Sequence, residues 1–299
     1  MTGGPGPQTA RCSEISQTAG ESLAGTAPET PAWLLVEQGL PWGRDALLES
    51  GVDRSVALEL SRRAEAAGVK VLLVRRAGRR SSTERERRVF AAWTGQKPFL
   101  DSLTCEGDLG LLDLDLEGLA RGARPDGGTP VDGSMTVVCT NGRRDACCAL
   151  HGCRAVDALV EVRPEATWEC SHLGGHRFAA TMLCLPSGAC FGRLRAASAV
   201  ETVVALEAGT LDLNRLRGFV GRPAPVQVAE DILRRRLGLV GLRDVTPAAL
   251  RQQDDTAEVT LRTAGSHAHS IVLQLVYTGR RAVSCAGASE EMATWREVR

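Results

Sequence analysis

A strand, helix and strand pattern near the N-terminus is the feature that most constrains the fold of this sequence. The apolar run 32–37 predicts a strand, Val56 to Ala67 repeats apolar residues at helical spacing before Gly68 ends it, and 69–74 predicts a buried strand. A helix of this length can connect two parallel strands of one sheet. The first half of the chain is therefore predicted to be an α/β unit.

The second half repeats this alternation of strands and helices. A strand from Met135 to Val138 ends at Cys139, and a helix is expected from about Ala146 to Val160 with Asp145 as its N-cap. Further elements are expected as a hairpin over 181–185 and 189–194, helices over 196–208 and 226–237, and strands over 258–263, 271–277 and 282–285. An α/β fold class is thus expected throughout, with an α+β extension at the C-terminus.

The length of 299 residues, 43% of them apolar, favours two compact units. The turn-forming run from Gly122 to Gly133 is a natural boundary between them. We predict a disordered leader over 1–30, an N-terminal α/β domain over 31–130, a second α/β domain over 131–220 and a C-terminal helix and strand extension over 221–299.

Charge and hydropathy exclude some classes of partner. Lys plus Arg and Asp plus Glu are balanced at 36 each, so no strong field would attract nucleic acid or an anionic membrane. The first thirty residues lack the order of a secretory signal, and no apolar run approaches the length of a membrane span. We expect a soluble, cytoplasmic protein that binds neither nucleic acid nor membrane.

Seven of the ten cysteines lie between Cys139 and Cys190. In a long chain without an export signal, such clustering indicates a metal site or a reactive thiol rather than a disulfide framework. The isolated cysteines are expected to be small buried hydrophobic residues; they are Cys12, Cys105, Cys153, Cys184, Cys190 and Cys285. The role of Cys170, two residues from a histidine, stays open.

Two turn segments carry the candidate ligands. The first runs from Cys139 to Cys148, and the second contains His172 and His176 on either side of a pair of glycines that favours a tight turn over a helix. Thiolate and imidazole bind zinc or iron, and two loops that each supply a pair can close a four-ligand site. The eight residues between the two cysteines exceed zinc-finger spacing, so a larger two-iron cluster fits better, and Rieske centres provide a precedent for two Cys and two His.

These motifs resemble those of the sucrase/ferredoxin-like family. Its Cys-x-x-Gly-x-Arg-Asp-x-x-Cys pattern matches 139–148 and its His-x-Gly-Gly-His-x-Phe-Ala pattern matches 172–179, with Asn141 where some relatives have His. The resemblance implies that 131–220 is a thioredoxin-like ferredoxin domain with a bis-histidinyl [2Fe-2S] cluster, preceded by a degenerate thioredoxin-like domain. It also implies that Cys139 and Cys148 hold one iron, while His172 and His176 hold the other, more solvent-facing iron. Cys147 is the alternative to Cys148 as the second thiolate.

The expected function is one-electron transfer to or from a redox partner protein that the sequence does not identify. We expect an electron carrier rather than an enzyme with its own substrate. The second ring nitrogen of a histidine ligand could couple electron transfer to proton binding. The charged segment 79–88 is one candidate docking surface.

Two other functions stay open, a structural zinc or interaction module with the same four residues and a thiol-disulfide oxidoreductase. The second is suggested by the adjacent Cys147 and Cys148. The sequence offers no pair of carboxylates whose placement would indicate the acid and the nucleophile of a glycosidase. The other histidines are expected to be structural; they are His151, His267 and His269.

Overall fold

The computed structural model of the chain describes residues 10–77, 86–265 and 267–298. Its helices are α1 (Cys12–Thr18), α2 (Arg54–Ala67), α3 (Leu116–Ala120), α4 (Ala146–Val162), α5 (Ala196–Glu207) and α6 (Ala224–Leu237). The first ten strands are β1 (Ala32–Glu37), β2 (Val69–Arg76), β3 (Glu86–Trp93), β4 (Phe99–Glu106), β5 (Thr129–Pro130), β6 (Met135–Cys139), β7 (Thr167–Cys170), β8 (Met182–Leu185), β9 (Ala189–Phe191) and β10 (Leu216–Phe219). The last four are β11 (Val245–Gln253), β12 (Thr256–Thr263), β13 (Ala268–Ala282) and β14 (Ser289–Glu297), and short 3-10 helices span Leu109–Asp113 and His176–Phe178.

The first ten strands form one mixed sheet in the order β10-β9-β8-β6-β7-β2-β1-β3-β4-β5. β1 and β2 are parallel, as are β6 and β7, and each pair is connected by a helix. The last four strands form a separate antiparallel sheet in sequence order. The predicted α/β class is confirmed.

Local signals that favoured the two βαβ units correspond to observed contacts. Asp53 caps α2 by accepting hydrogen bonds from the backbone amides of Ser55 and Val56, and Gly68 ends the helix in the left-handed region at φ 74°. Asp145 caps α4 by accepting a 2.9 Å hydrogen bond from the amide of Cys147. Helix α4 therefore begins where the sequence predicts, whereas α2 begins at Arg54, two residues before the predicted apolar repeat.

The main sheet is continuous across the predicted boundary at residue 130. The antiparallel pairing of β2 with β7 joins strands from the two sides of this boundary. One hydrophobic cluster also contains residues from both sides, including Trp33, Leu72, Val137 and Trp168. The two α/β segments therefore share a continuous sheet and a continuous core.

The leader prediction is wrong for residues 12–18, which form helix α1. Cys12 is 1% exposed and lies with Cys147 and Ala179 in a small buried cluster. The helix is ordered by contacts with residues more than a hundred positions away, such as Asp145 and Cys147. A prediction from local composition alone does not include such contacts.

The C-terminal extension contains more strand than predicted. β11 and β14 were not predicted, and the expected strand over 282–285 instead begins at the last residue of β13. Pro247 lies within β11, which it can do because β11 is an edge strand of its sheet. The apolar face of α6, with Val226, Ala229 and Leu233, packs on this sheet.

The charged segment 79–88 falls mostly outside the described residues. Glu86, Arg87 and Arg88 are described and form the start of β3. Arg87 forms a 2.7 Å ion pair with Asp108. These three residues belong to the sheet, and the docking role of the segment stays a prediction.

Candidate metal centre

The first candidate pair lies where β6 passes into α4. β6 ends at Cys139, Asn141 organises the following turn by accepting a 3.1 Å hydrogen bond from the amide of Arg143, and Cys148 lies in the first turn of α4. Cys139 and Cys148 are each only 1% exposed. A β-carbon at Gly152 would lie 2.1 Å from the carbonyl oxygen of Cys139, so glycine is required for this approach of α4 to the end of β6.

The second candidate pair lies on the loop that follows β7. Cys139 and Cys170, the last residues of β6 and β7, are directly paired, so the loops after these parallel strands leave the sheet at the same edge. Ser171 fixes the loop to β2, because its hydroxyl accepts a 3.1 Å hydrogen bond from the amide of Leu73. Gly174 and Gly175 follow in the left-handed region at φ 87° and 71°. The predicted tight turn is confirmed.

Arg217 on β10 contacts the turn that contains Gly174 and Gly175. Its side chain is 2% exposed and donates a 3.0 Å hydrogen bond to the carbonyl of Gly174 and another of 3.0 Å to the hydroxyl of Thr26. A β-carbon at Gly175 would lie 2.4 Å from a guanidinium nitrogen of Arg217. The position of the turn is thus determined by a buried cation and by the absence of a side chain at Gly175.

The four candidate ligands meet as two pairs at this edge of the sheet. Cys139 interacts with the side chains of both Cys148 and His172, and the rings of His172 and His176 stack with their centroids 5.2 Å apart and an interplanar angle of 30°. Both cysteines are buried, whereas both histidines are partly exposed. The Nδ1 atoms of the two histidines are buried and have no hydrogen-bond partner among the described residues.

The pKa shifts of Cys139 and His176 favour the protonation states that bind a metal ion. The pKa of Cys139 lies well below its ordinary value, because a hydrogen bond with Cys148 and the interaction with His172 outweigh its burial. The pKa of Cys148 is raised, because that thiol holds the shared proton. Burial lowers the pKa of His176 and favours the neutral ring. Thiolate and neutral imidazole are the forms that bind a metal ion.

The adjacent Cys147 points to a different place. Its Sγ lies 3.7 Å from the Sγ of Cys12 and 3.3 Å from the Sγ of Cys285. Together with Asp145, these three cysteines form a group whose ligand atoms all lie within 4.8 Å of one another, close enough to hold a metal ion. Cys148, and not Cys147, is therefore the neighbour of Cys139.

Comparison with known proteins identifies the family of this chain. The family model described as sucrase/ferredoxin-like matches residues 23–212, which is more than half of the chain. The chain belongs to the sucrase/ferredoxin-like family. No curated protein and no solved structure matches it.

The segment matched by the sucrase/ferredoxin-like model contains both candidate pairs and the elements from β1 to α5. Helix α6 and the four-stranded sheet lie beyond the match, as does α1. Two members of the second cysteine group, Cys12 and Cys285, therefore lie outside the segment that carries the family resemblance. Among the described residues, no helix has the length and apolar character to cross a membrane.

Sequence reasoning missed this second group. Cys12 and Cys285 were predicted to be small buried hydrophobic residues. Cys12 is buried as predicted, but Cys285 is exposed, and the thiols of both contact Cys147. Cys153 is also exposed, contrary to prediction, whereas Cys105, Cys184 and Cys190 are buried as expected. The group joins residues more than 130 positions apart, and no local spacing signal predicts it.

His151 and His269 are not among the candidate ligands, and each contacts other polar side chains. His151 on α4 contacts Arg195 at 2.6 Å and the hydroxyl of Ser13 at 3.5 Å. His269 on β13 lies 3.5 Å from the hydroxyl of Thr263 in the second sheet. These contacts agree with the structural roles expected of both residues.

A surface pocket of about 530 Å³ opens beside His172. Lys70, Arg144 and Ser171 also line it. The His172 side of the candidate centre is thus reachable from solvent, whereas the two cysteines lie beneath the surface.

Proposed function

We propose that this sucrase/ferredoxin-like protein binds one [2Fe-2S] cluster through Cys139, Cys148, His172 and His176 and transfers single electrons. The observation that supports it best is the convergence of two thiols and two imidazoles at one sheet edge. The buried Nδ1 atoms of His172 and His176, which no described residue satisfies, are the atoms a metal would engage. The donor set of two thiolates and two imidazoles fits this cluster.

The arrangement favours a two-iron cluster over a single zinc ion. Four ligands of one tetrahedral zinc would place their donor atoms within about 4 Å of one another. The four candidate ligands are more widely spread, because no three of them have donor atoms within 4.8 Å of one another, in contrast to the group around Cys147. A structural zinc module built from these four residues is therefore a weaker hypothesis than a two-iron cluster.

The chain would perform three tasks for the cluster. The buried Cys139 and Cys148 keep water from the thiolate side, while Arg217 and Gly175 orient the loop with the histidines. The partly exposed His172 and His176 bring the centre to the surface, where an electron can reach it. When bound, the cluster supplies the one-electron redox chemistry, with a potential tuned by its ligands and exposure.

We also propose a redox partner protein that docks over the histidine side of the centre. The pocket beside His172 and the partial exposure of His176 open this side of the centre to the surface. A partner that approached the cysteine side would be separated from the cluster by buried residues such as Cys147.

Elemental and spectral analysis of anaerobically purified protein tests the proposal. We expect two irons and two acid-labile sulfides per chain, with visible absorption that bleaches on addition of dithionite. Colourless protein with zinc bound by Cys139 and Cys148, and without iron or sulfide, would overturn it. Metal content is measured on the wild type and on Cys139→Ser, so that the metal is assigned to this site.

A further inference from the structure

A second group of ligands lies on the opposite side of the first turn of α4. The Sγ atoms of Cys12, Cys147 and Cys285 are separated by 3.7, 3.3 and 3.5 Å, and the Sγ of Cys12 lies 3.7 Å from both carboxylate oxygens of Asp145. Three of the four residues are buried, and only Cys285 is exposed. The group is thus a compact, nearly closed cage of three sulfurs and one carboxylate.

These separations match a single tetrahedral ion. A zinc–sulfur bond of about 2.3 Å gives sulfur–sulfur edges of about 3.8 Å, and an oxygen ligand shortens its edges to about 3.5 Å. The observed sulfur separations of 3.3 to 3.7 Å lie close to these edges and are far longer than the bond of about 2 Å in a disulfide. The cage therefore has the size of a mononuclear site and contains free thiols.

Neighbouring groups hold the four ligands in place. The carboxylate of Asp145 accepts hydrogen bonds from the amides of Cys147 and Cys285, at 2.9 and 2.8 Å, and from the hydroxyl of Ser284 at 3.1 Å. The hydroxyl of Ser13 donates a 3.2 Å hydrogen bond to the sulfur of Cys147. Such outer contacts orient ligands and are typical of metal sites.

We propose that Cys12, Cys147, Cys285 and Asp145 bind one structural zinc ion. Three thiolates and a carboxylate in a closed tetrahedral set favour zinc, which needs no open position in a structural site. The ion would connect α1, the first turn of α4 and the segment between β13 and β14. It would thus hold both ends of the chain against the turn that carries Cys148. The four ligands of this site are distinct from the four ligands of the proposed cluster.

Zinc, iron and sulfide measured on the same samples of full-length protein test this site. We expect one zinc per chain in the wild type, and loss of that zinc in Cys285→Ser and Cys12→Ser with iron and sulfide unchanged. Cys285 is exposed, so its replacement leaves the core intact, and Cys153→Ser is the matched control because Cys153 is an exposed cysteine outside the group. That control is expected to retain zinc.

Three results would overturn the zinc site. The first is wild-type protein that holds no zinc after purification and reconstitution with zinc, and the second is zinc that persists in both cysteine variants. The third is a disulfide between Cys147 and Cys285 in protein purified under reducing conditions, found by mass spectrometry, which would indicate thiol-disulfide chemistry instead. Because zinc and iron are measured separately, a result that excludes the zinc site can be distinguished from one that excludes the proposed cluster.

Discussion

The adjacent residues Cys147 and Cys148 on α4 have different surroundings. Cys148 faces Cys139 in the candidate cluster site, whereas Cys147 faces Cys12 and Cys285. The pKa of Cys147 is lowered to about 6, chiefly because the Cys12 thiol donates a hydrogen bond to it. One helical turn thus presents two thiols to two separate sites.

Replacing these two cysteines one at a time is expected to separate the sites. In Cys148→Ser, iron should fall from two per chain to near zero, because a hydroxyl is a poor substitute for a thiolate iron ligand. The matched control Cys147→Ser should keep its iron, sulfide and visible absorption. Iron loss in Cys147→Ser with retention in Cys148→Ser would contradict the assignment.

The sequence predicted the four candidate ligands but left the choice between Cys147 and Cys148 open. The spacing of both is compatible with a loop from Cys139, and only the direction of each side chain separates them. That direction depends on the N-cap at Asp145, which determines where α4 begins and therefore which cysteine faces β6. The choice between Cys147 and Cys148 therefore depends on how α4 packs against β6, which the sequence alone does not show.

At the scale of elements, the close approach of α4 to β6 is the feature that brings Cys148 to Cys139. Gly152 permits it, because any larger side chain would overlap the carbonyl of Cys139. Intrinsic helix propensity would favour alanine here by about 1 kcal/mol, so packing and propensity act in opposite directions at this residue.

Gly152→Ala is therefore expected to lower stability despite the gain in propensity. Overpacking of this kind costs about 1–3 kcal/mol, and the displaced α4 should also reduce iron occupancy. Denaturant unfolding and iron analysis measure both effects. Cys153→Ala, at the exposed neighbouring position, is the control, and equal or greater stability of Gly152→Ala would disprove the close packing.

The turn between the two histidines gives a second test at this scale. Gly174 and Gly175 both have positive φ, so alanine at either position is strained by about 1–2 kcal/mol. Only at Gly175 would the β-carbon also overlap Arg217, since nothing lies within 4 Å of a β-carbon at Gly174. Gly175→Ala should thus lose more stability and more iron than Gly174→Ala. Equal losses in thermal unfolding and iron content would show that Arg217 does not position the turn.

Both βαβ units were predictable because their signals are local. Apolar periodicity, the N-cap at Asp145 and the stop at Gly68 all lie within or next to the elements that they define. Helix α1 and strands β11 and β14 were not predicted, because their order depends on distant contacts and their burial is partial. The first three residues of β3, Glu86, Arg87 and Arg88, were assigned to the charged segment 79–88, because their charges do not indicate a strand.

At the scale of the whole molecule, one sheet extends across the predicted boundary at residue 130. The antiparallel pairing of β2 with β7 and the hydrophobic core shared between the two sides connect them. The second sheet packs on α6 and delivers Cys285 to the second ligand group through the segment after β13. The parts outside the family match thus contact the turn that carries Cys148.

A continuous sheet is expected to unfold as one cooperative unit. Along a urea titration, the backbone amides of β1 and β2 should lose protection from hydrogen exchange at the same denaturant concentration as those of β6 and β8. Exchange followed by mass spectrometry on peptides from each strand provides the measurement. Two well-separated midpoints would instead indicate two independent domains divided near residue 130.

Pulsed electron paramagnetic resonance of the dithionite-reduced protein, labelled with ¹⁵N-histidine, tests whether two histidines bind the cluster. We predict the signal of a reduced [2Fe-2S] cluster with couplings to two histidine nitrogens, one of which is lost in His176→Cys, whereas His151→Gln retains both. A reduced protein without such a signal, or a cluster signal without nitrogen coupling, would contradict ligation by Cys139, Cys148, His172 and His176.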